Sequence, residues 1–217
     1  MAKSIEESEV TQDRRRRIVE VAAEFFAQSS ISSTTVREIG EAVGILSGSL
    51  YHYFPSKDAI VDEIMASFLD DLTEKYAEVI EMKGNAVQQL RGLVHASLES
   101  TSTHGHAAEI YQNDINYIRN SPRFADIQDK VIEVRTAWIT VLDGGVADGT
   151  FRSDVATWLV YHLLRDSIWL TVRWFKTSER YDYSALAEDC CRIFLRGFVA
   201  PGVDLDFLDQ PREGSFA

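Results

Sequence analysis

The sequence predicts an all-α protein, with a small N-terminal helix-turn-helix head on a larger helical body of about nine helices in all. Three observations carry this. Apolar residues recur at helical spacing along most of the 217 residues. No segment shows the strict alternation of a half-buried strand, and no internal repeat appears. Residues 34–57, T-T-V-R-E-I-G-E-A-V-G-I-L-S-G-S-L-Y-H-Y-F-P-S-K, read as two short helices around a tight turn, followed by the start of a third.

In that stretch Val36, Ile39, Ala42 and Val43 give the first helix a buried face. Thr34 or Thr35 can cap it, and Glu38 completes a capping box with Thr35. Gly44 can leave the helix with positive φ. A second helix starts near Leu46 or Ser47, and Pro55 ends it. Ser47, Gly48 and Ser49 are small and polar, so that helix start can approach a duplex closely and offer its amides to a phosphate. Tyr51 and His52 reach further, to phosphate or base edges. Leu50 and Phe54 are placed to anchor the helix on its core, and Lys57 can reach a second phosphate. An ordinary helical hairpin with a solvated face is the alternative for such a pattern taken alone.

The run G-I-L-S-G-S-L-Y-H-Y-F-P-S-K-D closely resembles the recognition-helix signature of the TetR family of transcriptional repressors. Arg17, Ile18, Ala22, Phe25 and Phe26 stand where that family carries its first helix, so the resemblance covers roughly residues 13–60. It implies a regulator that binds double-stranded DNA. The positions it nominates for DNA contact are Arg14, Thr34, Thr35, Arg37, Ser47, Gly48, Ser49, Tyr51, His52 and Lys57.

The formal charge of −12 is unevenly spread. Residues 1–57 carry seven Lys or Arg against eight Asp or Glu, whereas residues 58–217 carry fifteen against twenty-six. The head is therefore nearly neutral, with a basic run at Arg14–Arg17 beside Arg37 and Lys57. Such a small footprint binds phosphate with an affinity that falls with salt. The acidic body limits indiscriminate adsorption to nucleic acid.

The domains expected are 1–57 for DNA binding, 58–203 for effector binding and dimerisation, and a loose acidic tail over 204–217. Helices are expected over 58–82, 86–103 and 106–120, with His104-Gly105-His106 as a loop. Another begins at Ser121-Pro122 and ends at Gly144-Gly145 or Asp148-Gly149. Asp154 can cap a helix over 155–176, and Tyr183–Val199 forms the last, stopped by Pro201-Gly202. W-L-V-Y-H-L-L-R-D-S-I-W-L-T-V-R-W-F is apolar around nearly its whole circumference, which argues burial on several sides. The last helix places Leu186, Cys190, Ile193 and Phe194 on one stripe. Two such helices imply packing against another subunit. The TetR resemblance implies a homodimer through these last two helices, reading a palindromic operator with half-sites about one turn, ~10 bp, apart.

Arg165, Trp169 and Arg173 lie at i, i+4 and i+8 and share a face of a continuous helix. Two guanidinium groups beside an indole suit an anionic ligand with a flat or apolar body. They equally suit internal pairing with Asp166 or Glu109 and stacking on Trp169. The pattern R-D-x-x-W-x-x-x-R-W, with I-Y-Q-N-D near 110, resembles an actinobacterial branch of TetR-type repressors that control catabolism of the steroid (cholesterol) nucleus. That resemblance implies an inducer that is a coenzyme A thioester of a degraded steroid, contacted by Arg165, Trp169 and Arg173. Tyr111, Asn113 and Asp114 fall where the family builds its pocket, so Tyr111 and Asp114 join the expected ligand contacts; capping and packing serve them as well. The acyl-CoA is an effector, and no cofactor is expected.

Other classes fit less well. No G-x-S-x-G elbow, phosphate-cradling loop or H-E-x-x-H appears, so no enzyme is expected. A helical acyl-CoA-binding protein, a thioesterase or an oligomeric scaffold leaves residues 34–57 unexplained. A sensor of fatty acyl-CoA or of an apolar drug-like compound is the alternative within the regulators. His104 and His106 lack a third metal ligand, and His95 and His162 show no partner. Cys190 and Cys191 read as small core residues rather than a disulfide, and Trp138 and Trp158 read as core. No apolar run is long enough to span a membrane and the N-terminus lacks a signal-peptide core, so the expected location is the cytoplasm.

Overall fold

The computed structural model describes residues 2–82, 84–199 and 202–203, with side chains from Thr11 onward. Among them the chain forms nine α-helices: α1 Ala2–Ser29, α2 Val36–Val43, α3 Ser47–Leu50, α4 Lys57–Glu81, α5 Ala86–Thr103, α6 Gly105–Arg119, α7 Ala125–Ala147, α8 Thr157–Trp169 and α9 Tyr183–Phe198. Two 3₁₀ segments, Pro122–Phe124 and Leu170–Arg173, adjoin α7 and α8. The expected all-α class is the one observed. Pro201 and the tail 204–217 lie outside the described residues.

The chain divides into two compact units, Met1–Phe68 with His106–Gln128, and Leu69–Gly105 with Asp129–Ala217. In the first, Ile18, Ala22 and Phe26 of α1, Ile39 of α2, Leu50, Phe54, and Ile60, Ile64 and Phe68 of α4 are buried together with Ile110 and Phe124. In the second, α5 packs against α8 and α9. Trp138 and Tyr76 are buried there: the Trp138 indole donates to the Tyr76 hydroxyl at 2.9 Å, and that hydroxyl shares a hydrogen with Ser97 at 2.5 Å. This string satisfies three polar groups that would be costly if buried alone.

Several local expectations are met. Thr35 caps α2 in a capping box, accepting from the Glu38 amide at 3.2 Å while its own amide reaches the Glu38 carboxylate at 2.7 Å. Gly44 adopts φ 76°, ψ 35°, and the Gly44 and Ile45 amides close back on Glu41 and Gly40.

Others are corrected. Ala42 is exposed, and Gly40 sits in the buried face in its place. A Cβ at Gly40 would come within 3.1 Å of the Ile45 carbonyl, which shows how closely α2 approaches the turn. The helix expected over 155–176 starts at Thr157, and Ala156 is its N-cap without a side-chain cap. Asp154 is instead held in a two-bonded pair by Arg152, at 2.6 and 2.7 Å. That helix changes to 3₁₀ winding after Trp169. His104 ends α5, while Gly105 and His106 already belong to α6, so the expected three-residue loop is a single-residue break. On α9 the buried stripe is Leu186, Ala187, Cys191, Leu195 and Phe198; Ile193 is 72% exposed. Trp158, expected in the core, is 59% exposed, whereas Trp138 is buried. No helix among the described residues is long and apolar enough to cross a membrane.

Candidate nucleic-acid interface and effector site

The recognition element is built on a short scaffold. Leu50 and Phe54 are fully buried, as expected, and pin α3 against α2. α3 is one helical turn, and the amides of His52, Tyr53 and Phe54 continue it through turns back to Ser49 and Leu50. Gly48 and His52 are exposed, Ser47 and Ser49 half-buried, and Tyr51 is 54% exposed at the C-terminal end. A Cβ at Gly48 would meet nothing, so this glycine leaves open space beside the helix start. Sequence reasoning passed over Leu46, which precedes α3 and is 81% exposed. An apolar residue where a polar cap would be favourable was the available signal. Its side chain suits a thymine methyl.

The expected basic residues divide by role. Arg37 lies at the surface and pairs with Glu41 at 2.7 Å. Arg16 and Arg17, also exposed, pair with Asp13 and Glu20. Arg14 is exposed and its guanidinium reaches the Val43 carbonyl at 3.3 Å. Arg15 is committed inward: it donates to the Tyr53 carbonyl at 2.5 Å, pairs with Glu63, and lies 4.0 Å over the Phe54 ring. It fastens α1 to the end of the recognition element. Two nominated DNA contacts are likewise engaged within the head. Thr34 is buried, and its hydroxyl donates to the Ser30 and Phe25 carbonyls at 2.9 and 3.3 Å. The Lys57 ammonium donates to the Ile31 and Thr34 carbonyls at 2.6 and 2.9 Å, so it braces the α1–α2 turn. Thr35 is exposed, with its hydroxyl on Glu38 at 2.7 Å.

The five expected effector contacts fall in both units. Tyr111 is buried in the first, edge-on to Phe68 at 6.2 Å. Asp114 is also buried and accepts the Ile31 amide at 3.2 Å. Burial pushes its carboxyl above the ordinary value, although the Ile31 amide and the Lys57 charge favour the ionised form. Asn113 is exposed.

Arg165 and Trp169 sit one turn apart on α8 in the second unit. Trp169 is 2% exposed. Arg165 donates to Asp166 at 2.8 Å and its guanidinium lies 5.6 Å from the Tyr161 ring. Burial opposes its charge, yet Asp166 and Tyr161 outweigh that and raise its pKa. Arg173 is exposed. Because 3₁₀ winding advances about 120° per residue rather than 100°, Arg173 is turned by about 80° from the position that a continuous helix would give it. The expected three-residue face is thus a two-residue face with Arg173 beyond the break. A surface cleft of about 790 Å³ lies elsewhere, lined by Val146, Phe151, Arg152 and Arg196 among others. None of the five expected contacts lines it.

Glu188 of α9 receives Arg91 and, at 2.8 Å, His95 of α5. No partner for His95 was legible from local spacing, because Glu188 lies 93 residues away in the chain. No cluster of His, Cys, Asp or Glu that could hold a metal occurs among the described residues.

Together, the capped α2, the glycine turn and the exposed face of a pinned α3 define a helix-turn-helix DNA-binding protein. Comparison with known proteins makes this specific. Residues 18–64 match the model of bacterial regulatory proteins of the tetR family, and residues 83–198 match that of the tetracyclin repressor-like C-terminal domain. The chain belongs to the TetR family. It is 37% identical over 190 residues to the HTH-type transcriptional repressor KstR2 of Mycobacterium tuberculosis H37Rv, covering 88% of this chain and 95% of that protein. It is 39% identical over 188 residues to KstR2 of Rhodococcus jostii RHA1, covering 87% and 92%. The solved structure of the ketosteroid transcriptional regulator KstR2 of M. tuberculosis superposes with a TM-score of 0.80 at 37% identity, covering 86% of this chain and 95% of that one. The chain is accordingly a TetR-type transcriptional repressor closely related to KstR2 repressors, a regulator rather than an enzyme.

Proposed function

We propose that this repressor binds a palindromic operator as a homodimer and is released by a coenzyme A thioester of a steroid-ring degradation intermediate. The observation that carries the effector reading is Arg165, held between Asp166 and Tyr161 on the helix that also carries the buried Trp169. A guanidinium of fixed orientation suits a phosphate, and an indole suits a ring or aliphatic chain. The likeness to KstR2 supports a steroid acyl group over a simple fatty one. An uncharged drug-like inducer would not require Arg165. The apolar faces of α8 and α9 support the dimer, since Trp158, Leu163 and Ile193 are each more than half exposed.

Induction requires only that the thioester bind the DNA-incompetent state more tightly, and linkage then obliges DNA to weaken thioester binding by the same factor. The test is binding of the purified protein to the DNA upstream of its own gene, titrated with coenzyme A, a fatty acyl-CoA and a two-ring steroid acyl-CoA. Release by the steroid thioester alone is expected. Arg165→Ala is expected to keep DNA affinity within about twofold and weaken the response to that thioester about tenfold or more. Release by the fatty acyl-CoA moves the pathway, and a normal response of Arg165→Ala removes the site assignment.

A further inference from the structure

The turn between α1 and α2 is held from both α4 and α6. Ser30 opens it with φ 78°, a left-handed conformation uncommon outside glycine. From Ile31 the amide is taken by Asp114 of α6 and the carbonyl by Lys57 of α4, which also takes the Thr34 carbonyl. The Thr34 hydroxyl closes back onto the Ser30 carbonyl, and the next residue, Thr35, caps α2. The conformation of 30–34 therefore decides where α2 starts, and α3 is packed on α2.

Asp114 is unusual in two further ways. Its backbone, at φ −116° and ψ 15°, breaks the helical run of α6, so this helix is kinked at the residue that reaches the turn. It is also a carboxylate buried to 9% exposure, at a place where an amide could supply the same acceptor at lower desolvation cost. One turn later Tyr117 donates to Asp58 at 2.6 Å, so α6 is tied to the start of α4 as well. All these residues belong to one compact unit, in which the far end of the sequence stretch, 106–128, is folded together with the head.

We propose that Asp114 is a positioning residue for DNA recognition: through the Ile31 amide it makes kinked α6 a structural support of the α1–α2 turn, and hence of the recognition element. A change at α6 is thereby felt at α2 and α3 without any residue of α6 touching DNA. The role differs from the effector contact that the sequence suggested for Asp114, because its carboxylate oxygen is already engaged with the head.

The test is hydrogen–deuterium exchange over 30–35 in the full chain, combined with affinity for its own upstream duplex and for a random-sequence duplex. Asp114→Ala is expected to speed exchange over 30–35 and weaken upstream-duplex binding about tenfold, with random-duplex binding within about twofold. Asp114→Asn keeps an acceptor oxygen and is expected to restore most of both. Parental exchange and parental affinity in folded Asp114→Ala overturn the proposal. So does a thermal shift with unchanged affinity of the folded protein, which marks Asp114 as purely structural. Should the alanine variant not fold, the unaltered chain decides. Upstream duplex is expected to slow exchange over 30–35 and 111–117 together, and slowing confined to 30–35 overturns the coupling. No inducer enters these measurements, so a wrong effector assignment leaves their outcome unaffected.

Discussion

Tyr51 stands 54% exposed where α3 ends, beside exposed His52 and one turn from the open space at Gly48. A phenol there is free of the packing that Leu50 and Phe54 carry, and is placed where it could meet a phosphate or base edge. Tyr51→Ala is expected to weaken operator binding by about 1–3 kcal/mol with an unchanged melting temperature, as read by a duplex titration alongside thermal unfolding. Residues with a single short-range job were legible in the sequence. Gly44, the Thr35–Glu38 box and the Leu50–Phe54 anchors depend on neighbours within a few positions. Thr34 and Lys57 were assigned to DNA from spacing alone, because a polar side chain near a recognition helix has two possible partners. The chain's own carbonyls, brought in by folding across 23 to 38 residues for Lys57 and Arg15, are invisible to local spacing.

At the scale of elements, the close approach at Gly145 is the sharpest packing constraint. A Cβ there would lie 2.2 Å from the Phe151 ring and 2.8 Å from the Ala86 side chain, with the Phe151 ring itself tilted against Phe198 at a centroid distance of 4.6 Å. Gly145→Ala should therefore destabilise despite its better helix propensity, by about 1–3 kcal/mol in denaturant unfolding. The α5–α9 junction yields a pH dependence. Burial, then the Arg91 charge, lowers the His95 pKa, partly offset by Glu188 and Glu99. A histidine whose folded value lies below its unfolded one binds protons better when unfolded, so stability is full above the ordinary imidazole value of about 6.5 and falls as the pH drops through it. Glu188, whose burial is outweighed by Arg91 and His95, has a lowered pKa and loses stability in the same direction at more acid pH. The melting temperature is expected to be lower at pH 5.5 than at 7.5, and His95→Gln is expected to shrink that difference; the half-buried His104 near Asp71, whose pKa is also lowered by burial, retains the rest. Helix positions were mostly readable from periodicity and breakers. The change of winding after Trp169 was not, since no proline or glycine marks it, and the Arg165–Trp169–Arg173 face inferred from continuous spacing was lost with it.

For the whole molecule, the distribution of apolar surface makes a separate demand. Along α8, Val160, Tyr161, Leu164 and Ile168 face inward, yet Leu159 and Leu163 are 39% and 56% exposed and Leu170, just beyond, is 37% exposed. Positions 159 and 163 follow the i, i+4 spacing of one helical stripe, and Leu170 opens the 3₁₀ segment just beyond it. With Trp158 alongside and Ile193 on α9, they form apolar surface that a monomer would leave in water. The circumferential greasiness of 155–176 was legible in the sequence; the division into an inward face and an outward one required the fold. The proposed isologous pairing of this surface would cover it and present two recognition elements to two half-sites, so that affinity for the full operator would greatly exceed that for one half. The acidic charge, concentrated in residues 58–217, would then keep such a dimer from spreading over DNA at large. Leu163→Glu places a carboxylate in the centre of that stripe without touching the inward face. Sedimentation is expected to show a monomer with unchanged helical content, and the variant should bind the upstream duplex at least about a hundredfold more weakly while keeping the parent's weak binding to a single half-site. The parent's melting temperature should rise with protein concentration, as association stabilises the folded state by mass action, and the variant's should not. A Leu163→Glu protein that still sediments as a dimer would move the subunit interface off this face of α8.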